Sequence, residues 1–365
     1  MGKRKILIIT NHSYMLWQFR RELIEALMQE NEVVLSMPFV GRQEAFMAMG
    51  LKCVDTALSR RGVNPAAELC LMHTYDALLK AERPDLVITY SIKPNIYAGM
   101  MCEKNGIPFC ANVQGLGTAF QNGGLAGFVT LLYRRALRDA RVVFFENREN
   151  AAEFQRRGIV PGSRAVVLPG AGINLDRFAY QPYPENGRVH FLYLGRLMRE
   201  KGMEELFQAA IRLADEGEPF FLDLVGFFED GYQDAAALLE KRGIAKFHGF
   251  REDPRPFYAG ADCVVLPSYH EGMSNVLLEA AAVGRPLIAT DIPGCREAVC
   301  DGRTGFLVPA RDTGSLYAAM KRMLRLAPSR RAEMGRLGRE KMAREFPKET
   351  VVARTLSAIT SGAGL

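Results

Sequence analysis

No Cys-x-x-Cys pair occurs in these 365 residues, and the seven cysteines (Cys53, Cys70, Cys102, Cys110, Cys263, Cys295 and Cys300) are odd in number. Neither a disulfide framework nor a zinc ribbon is therefore expected, and the thiols read as small core residues in a reducing compartment. The dinucleotide fingerprint Gly-x-Gly-x-x-Gly is missing after every strand-like run, and the phosphate loop Gly-x-x-x-x-Gly-Lys-Ser/Thr is missing altogether. That sets aside dinucleotide oxidoreductases and P-loop enzymes. There is no Asp-x-Asp sequence either, which fits chemistry without a metal ion. The opening Met1-Gly2-Lys3-Arg4-Lys5 is basic, but Ile6 to Ile9 is too short for the core of a signal peptide, and Ile6 breaks the myristoylation pattern. The longest stretch without charge, Asn105 to Tyr133, spans 29 residues, yet its six glycines and one proline argue against a membrane span. These absences together predict a cytoplasmic protein.

What is present is an ordinary folded composition, 48% hydrophobic and 24% charged, long enough for two α/β domains. Apolar runs alternate with amphipathic stretches, which is the pattern of a doubly wound parallel sheet. In the first half strands are expected at Lys5–Thr10, Glu32–Met37, Cys53–Asp55, Leu86–Tyr90, Phe109–Asn112, Val142–Phe145 and Val166–Leu168. A second series follows at Val189–Leu194, Phe220–Val225, Lys246–His248, Cys263–Leu266 and Pro286–Ala289. Between them, the Pro- and Gly-bearing Gln181 to Gly187 marks the boundary, giving domains 1–182 and 183–346 with a last segment 347–365. Charge divides unevenly. Residues 1–182 hold 22 Lys/Arg against 16 Asp/Glu, and residues 183–365 hold 25 against 25, so the whole excess of +6 lies in the first half. No aromatic-basic signature accompanies it, which favours an anionic acceptor or membrane surface over nucleic acid.

The densest chemistry lies in His270-Glu271-Gly272-Met273-Ser274-Asn275-Val276-Leu277-Leu278-Glu279. A carboxylate sits in a Gly-bearing turn, a helix opens near Ser274, and a second carboxylate follows on that helix. The first-turn amides from Met273 to Val276 suit phosphate oxygens. Glu271 and Glu279, roughly 12 Å apart at helical rise, are placed to bracket a diphosphate and to accept hydrogen bonds from hydroxyls. Upstream, Gly195-Arg196-Leu197-Met198-Arg199-Glu200-Lys201-Gly202 ends an apolar strand, where open α/β sheets bind ligands. Arg196 and Lys201 there would neutralise charge on a departing diphosphate.

Gly195-Arg196, Lys201-Gly202 and the Glu271/Glu279 pair, in that order, resemble the donor half of retaining glycosyltransferases of family 4. Pro169 to Phe178 is similar to the family's segment before its hinge. Thr89 to Tyr97 and Asn112 to Phe120 resemble bacterial members that build lipid-linked oligosaccharides, capsules and exopolysaccharides. The resemblance implies the GT-B fold, two Rossmann-like domains facing a cleft, with a last helix from about Pro347 to Ile359 crossing back to the first. It implies that Arg196 and Lys201 bind the donor diphosphate, that Glu271 holds the transferred sugar, and that Glu279 holds the ribose. Gly195, Gly272, Met273, Ser274, Asn275 and Val276 complete the donor set, with backbone around Phe250 reading the base. Two departures concern the acceptor side. Thr10-Asn11-His12-Ser13-Tyr14 replaces the usual Gly-rich first loop, and Gln114, before Gly115, stands where a histidine is common.

The expected activity is transfer of an N-acetylhexosamine from a UDP-sugar to a polyprenyl-diphosphate-linked saccharide, with no cofactor and no metal. His12, Lys93, Gln114 and Gly115 are the acceptor-side candidates, although capping or packing explains His12 at least as well and solvent exposure explains Lys93 better. A helix from about Leu125 would lay Leu125, Phe128, Val129 and Leu132 on lipid, with Arg134, Arg135 and Arg138 at phosphate headgroups and Arg60 and Arg61 adding to that surface. The same residues also read as a buried helix with a solvated basic end. In the first case the enzyme sits peripherally on the inner face of the cell membrane. A sugar-nucleotide epimerase of the same architecture, or a non-catalytic sugar-nucleotide-binding partner, would share the donor residues without needing an acceptor.

Overall fold

The structure, a computed structural model, describes residues 3–57, 64–116, 120 and 123–361, with the side chains of 123–125 left out. It divides into two compact units, residues 1–171 with 349–365, and residues 172–348. Arg60, Arg61 and the side chain of Leu125 lie outside the described residues.

The first unit is built on seven strands, β1 (Arg4–Ile9), β2 (Asn31–Met37), β3 (Lys52–Asp55), β4 (Leu86–Tyr90), β5 (Phe109–Val113), β6 (Val142–Phe145) and β7 (Ala165–Val167). Their order is β3-β2-β1-β4-β5-β6-β7, and every pairing is parallel. β4, β5 and β6 are buried along their whole length, as apolar runs covered on both faces must be. One core, around Leu7, Val87 and Phe145, takes in Tyr133 and Phe154. The other, around Ile8, Ile88 and Phe144, takes in Leu16 and Phe46, and it receives Val351 and Ile359 of the helix Lys348–Ser361.

The second unit repeats the design with β8 (Val189–Leu197), β9 (Phe220–Phe228), β10 (Ala245–Phe247), β11 (Cys263–Leu266), β12 (Leu287–Thr290) and β13 (Gly305–Val308). Their order is β10-β9-β8-β11-β12-β13, again all parallel. β13 follows turn-rich sequence and escapes the sequence reading. The segment Gln181 to Gly187 packs on this unit. Gln181 N–H donates to the Val283 carbonyl, Tyr183 Oη donates to the Asp262 carbonyl, and the buried Arg285 guanidinium reaches the Pro182 carbonyl at 2.8 Å. Next to it, the backbone of Ile173 pairs with that of Pro347. All seven cysteines are unpaired, and burial pushes the Cys102 and Cys110 thiols up to about 12, so they are inert core residues. Among the described residues no helix is long and apolar enough to cross a membrane.

Candidate active site

At the carboxyl end of β8 two backbones come together where no side chain fits. Gly195 and Gly226 are register partners on β8 and β9 with φ of 151° and 148°. A Cβ on Gly226 would lie 1.8 Å from the Gly195 carbonyl oxygen, so only glycine is tolerated there. The strand does not exit at Gly195, as the sequence suggested, but runs on through Arg196 to Leu197. Tyr193 is buried, and its Oη donates to the Arg196 carbonyl at 2.6 Å, fixing that stretch from below. The Arg196 guanidinium meets Glu229 at 2.5 Å.

Lys201 closes a short 3-10 turn, and Gly202 follows with φ of 71°, pressed so closely on the end of β11 that a Cβ would sit 2.1 Å from the Pro267 carbonyl oxygen. That contact delivers the ammonium group of Lys201 to Glu271 Oε1, 2.5 Å away. The buried Ser268 Oγ donates to the same oxygen at 2.8 Å, so this carboxylate is oriented by two donors. Two residues 70 positions apart thereby meet. The turn beyond is braced by Gly294, whose Cβ would lie 2.4 Å from the Gly272 carbonyl oxygen. Met273 is buried, and the Ser274 amide donates to the Gly294 carbonyl at 2.8 Å. Ser274 caps the helix Asn275–Val283 by accepting from the Leu277 amide. The Ser274 amide is therefore committed to the fold, while helix geometry leaves Asn275 and Val276 as first-turn donors without intrahelical acceptors.

Glu279 lies apart from that cluster. It is 5% exposed, and its Oε2 accepts from the hydroxyl of the fully buried Tyr258 at 2.8 Å. Phe250 follows the left-handed Gly249 after β10 and is exposed. Burial, then the Glu271 charge, hold the Tyr193 hydroxyl and the Cys295 thiol well above their usual ranges. His270 is pushed down by lost hydration and then by Arg311, with Glu271 opposing, which favours the neutral ring. Tyr193, Ser268, Glu229 and Tyr258 escape the sequence reading. Tyr193 looks like a core residue of an apolar strand, and its position two residues before Gly195 is the only hint.

The acceptor-side candidates belong to the first unit. His12 is the N-cap residue of the helix Ser13–Phe19, but its side chain makes no capping bond. Nearby, Ser91 holds the left-handed φ of 77° after β4, and its Oγ donates to Asn11 Oδ1 at 2.6 Å. Lys93 is not solvent-exposed. Its ammonium lies 2.6 Å from Glu68 Oε1, with both side chains largely covered. Gln114 and Gly115 follow β5 and are half-buried. In the helix Gly123–Ala136 Val129 is buried and Leu132 packs on the core, so neither faces outward as expected. Phe128, 54% exposed, and Leu131, 63% exposed, form the outer face. The arginines are engaged, since Arg134 donates to the Arg157 carbonyl while Arg135 and Arg138 both bind Glu103.

Comparison with known proteins bears on the fold and the family. The family profile described as "Glycosyl transferases group 1" matches residues 188–325, and that described as "Glycosyl transferase 4-like domain" matches residues 24–171. The N,N'-diacetylbacillosaminyl-diphospho-undecaprenol alpha-1,3-N-acetylgalactosaminyltransferase of Campylobacter jejuni is 26% identical over 329 residues, covering 85% of this chain and 86% of that protein. The glycogen synthase of Mycobacterium tuberculosis is 31% identical over 200 residues, 53% of this chain and 48% of the enzyme, so the chain spans about half its length. Among solved structures, Anabaena HepE in complex with UDP and glucose superposes with a TM-score of 0.80 at 16% identity, covering 98% of this chain and 100% of that one. Sucrose-phosphate synthase from Thermosynechococcus elongatus gives 0.78 at 20% identity, covering 98% and 99%.

Proposed function

This chain belongs to glycosyltransferase family 4 and has the GT-B fold, and from that premise we propose that it is a metal-independent, retaining transferase. It moves an N-acetylhexosamine from a UDP-sugar to a polyprenyl-diphosphate-linked saccharide. The single observation that carries the reading is the convergence of Lys201, Ser268 and Glu271 beside Arg196 at the carboxyl ends of β8 and β11. The C. jejuni relative, named for adding N-acetylgalactosamine to N,N'-diacetylbacillosaminyl-diphospho-undecaprenol, supports the choice of sugar and acceptor. HepE, crystallised with UDP, supports the nucleotide.

In the proposed mechanism Arg196, Lys201 and the Asn275 and Val276 amides hold the donor diphosphate, with Gly195 and Gly272 leaving room for it. Glu271 accepts from hydroxyls of the transferred sugar, Glu279 accepts from the ribose, and backbone at Phe250 reads the base. The acceptor hydroxyl attacks the anomeric carbon on the face from which UDP departs. The new C–O bond forms as the old one breaks, and the hydroxyl proton passes to the leaving phosphate oxygen. The two cations offset the charge that develops there, a role filled by a metal ion in other enzymes. On the acceptor side His12, Gln114 and Gly115 contact the saccharide, and the exposed face of the helix Gly123–Ala136 rests on anionic lipid.

A thermal-shift panel of UDP, GDP, ADP and dTDP with their common sugars, followed by acceptor-dependent nucleotide release, tests the proposal. A UDP-specific shift, lost in Glu279→Ala, with release only when a lipid-linked acceptor is added, supports it. Binding without acceptor dependence favours an epimerase or a sensor. No shift with any nucleotide overturns the reading.

A further inference from the structure

The chain between β11 and Glu271 is tied down residue by residue. The Ser268 carbonyl accepts from Thr290 Oγ1 at the end of β12, 2.5 Å away, and both residues are buried. The Tyr269 amide donates to the Glu200 carbonyl at 2.9 Å, inside the 3-10 turn Arg199–Lys201. The Tyr269 side chain, 8% exposed, then reaches the helix Met203–Asp215, where its hydroxyl lies 2.7 Å and 2.9 Å from the two carboxylate oxygens of Glu205. One residue thus joins the segment that leads to Glu271 both to the turn that carries Lys201 and to the helix that follows that turn.

Glu205 is a buried carboxylate that the proposed chemistry leaves unused. Burying an ionised carboxylate is costly unless a donor meets it, and the phenol supplies that donor. Burial, then the hydrogen bond to Glu205, hold the Tyr269 hydroxyl well above its ordinary range, so it keeps the proton it donates. The ring itself is covered from the end of β13. Arg311, just past that strand, holds the left-handed φ of 61°, a costly conformation for a residue with a Cβ. Its guanidinium carbon lies 4.7 Å from the centre of the Tyr269 ring, a cation over a π-face.

We propose that Tyr269, anchored by Glu205 and covered by Arg311, is a positioning residue that sets the Lys201–Glu271 pair, and through it the share of donor affinity that comes from the transferred sugar. The proposal rests on the donor reading above, in which Glu271 accepts from that sugar. A carboxylate that recognises hydroxyls has to be held to within about 0.5 Å, and a side chain fixed at both ends supplies that where a loop alone does not.

Calorimetric titration of the whole chain with the tighter of UDP-N-acetylgalactosamine and UDP-N-acetylglucosamine and, separately, with UDP tests it. Tyr269→Phe removes only the hydroxyl and is expected to weaken the UDP-sugar about tenfold while leaving UDP unchanged. Glu205→Gln still offers an oxygen to the hydroxyl and keeps the wild-type affinities, whereas Glu205→Leu matches Tyr269→Phe. Arg311→Gln, at an exposed side chain, folds whatever becomes of the buried variants, and it should cost the UDP-sugar about threefold and UDP nothing. In a Glu271→Gln background Tyr269→Phe weakens the UDP-sugar no further, the non-additivity of residues that act through one group. Unchanged UDP-sugar affinity in Tyr269→Phe or Arg311→Gln, an equal loss for UDP, or full additivity with Glu271→Gln overturns the positioning role. A wild-type protein that binds neither ligand, or full UDP-sugar affinity in Glu271→Gln alone, removes the donor reading itself, an outcome distinct from those.

Discussion

The two sheets are wound alike, yet their switch points are furnished differently. Between β8 and β11 stand glycines with left-handed φ, Arg196, Lys201 and an oriented carboxylate. Between β1 and β4 stand Asn11, a strained Ser91 and, further in, a buried Arg20–Glu146 pair at 2.7 Å. The same topology thus puts the proposed seat for a dianion in one unit and a set of hydroxyl and carboxamide groups in the other. Net charge is a poor guide to which is which. The first half of the chain holds the whole positive excess, but Arg20, Lys93, Arg135 and Arg138 there are bound to Glu146, Glu68 and Glu103, and they brace the fold. The second half is neutral overall, and its two cations at the carboxyl end of β8, Arg196 and Lys201, are likewise paired, with Glu229 and Glu271.

The comparison breaks most sharply at Lys201. Lys201→Ala is expected to lower kcat about a hundredfold or more with a smaller change in donor KM, because the cation acts mainly on charge that develops as the bond breaks. An unchanged turnover number would make the two switch points equivalent. Next in size is Arg20→Met. It removes the buried cation paired with Glu146 and should cost about 3 kcal/mol in urea unfolding, while the Arg20→Met/Glu146→Leu double variant recovers most of it. Loss of activity without loss of stability would turn this brace into a binding group.

Glu279→Ala should weaken UDP about tenfold by titration, since a hydrogen bond to a charged acceptor is removed. Full UDP affinity in that variant would leave Glu279 as packing alone. Replacing Arg134, Arg135 and Arg138 by Gln should reduce sedimentation with anionic liposomes only a few-fold, not the roughly hundredfold of three uncompensated charges, because Glu103 already balances part of the cluster. Undiminished binding removes the membrane helix, and a hundredfold loss means that Glu103 releases its arginines at the lipid. The smallest effect is one of pH. Hydrogen bonds from Lys321, then Tyr317, hold Glu216 down to about 2 from its ordinary 4.5. The stability it adds is present above 4.5 and fades as pH falls through 2, so Glu216→Gln should flatten that part of the urea-midpoint profile.

Both sheets were legible in the sequence because buried parallel strands are continuous apolar runs, and Leu86–Tyr90, Val142–Phe145 and Cys263–Leu266 fall at their expected bounds. β8 and β9 run three residues further than expected because paired glycines let the ladder continue where a solitary one suggests a turn. The Lys201–Glu271 meeting was implied by a resemblance and by strand ends, not by any local pattern. Glu229, Tyr258 and Glu68 were not visible as partners, since a carboxylate or phenol far away in sequence carries no sign of whom it meets. On the helix Gly123–Ala136 Phe128 faces outward as expected but Val129 and Leu132 do not, because an apolar stretch with few charges has no clear phase.

The glycines around the proposed anion seat also say where this protein can be re-engineered. Side chains at Gly202, Gly226 or Gly294 would have to occupy space already filled by the backbone oxygens of Pro267, Gly195 or Gly272. A library randomised at those three positions is therefore expected to return almost only the parent residue. Diversity is tolerated better at the solvent-facing Phe227 and Phe250, 45% and 52% exposed, where no backbone oxygen fills the space of the side chain.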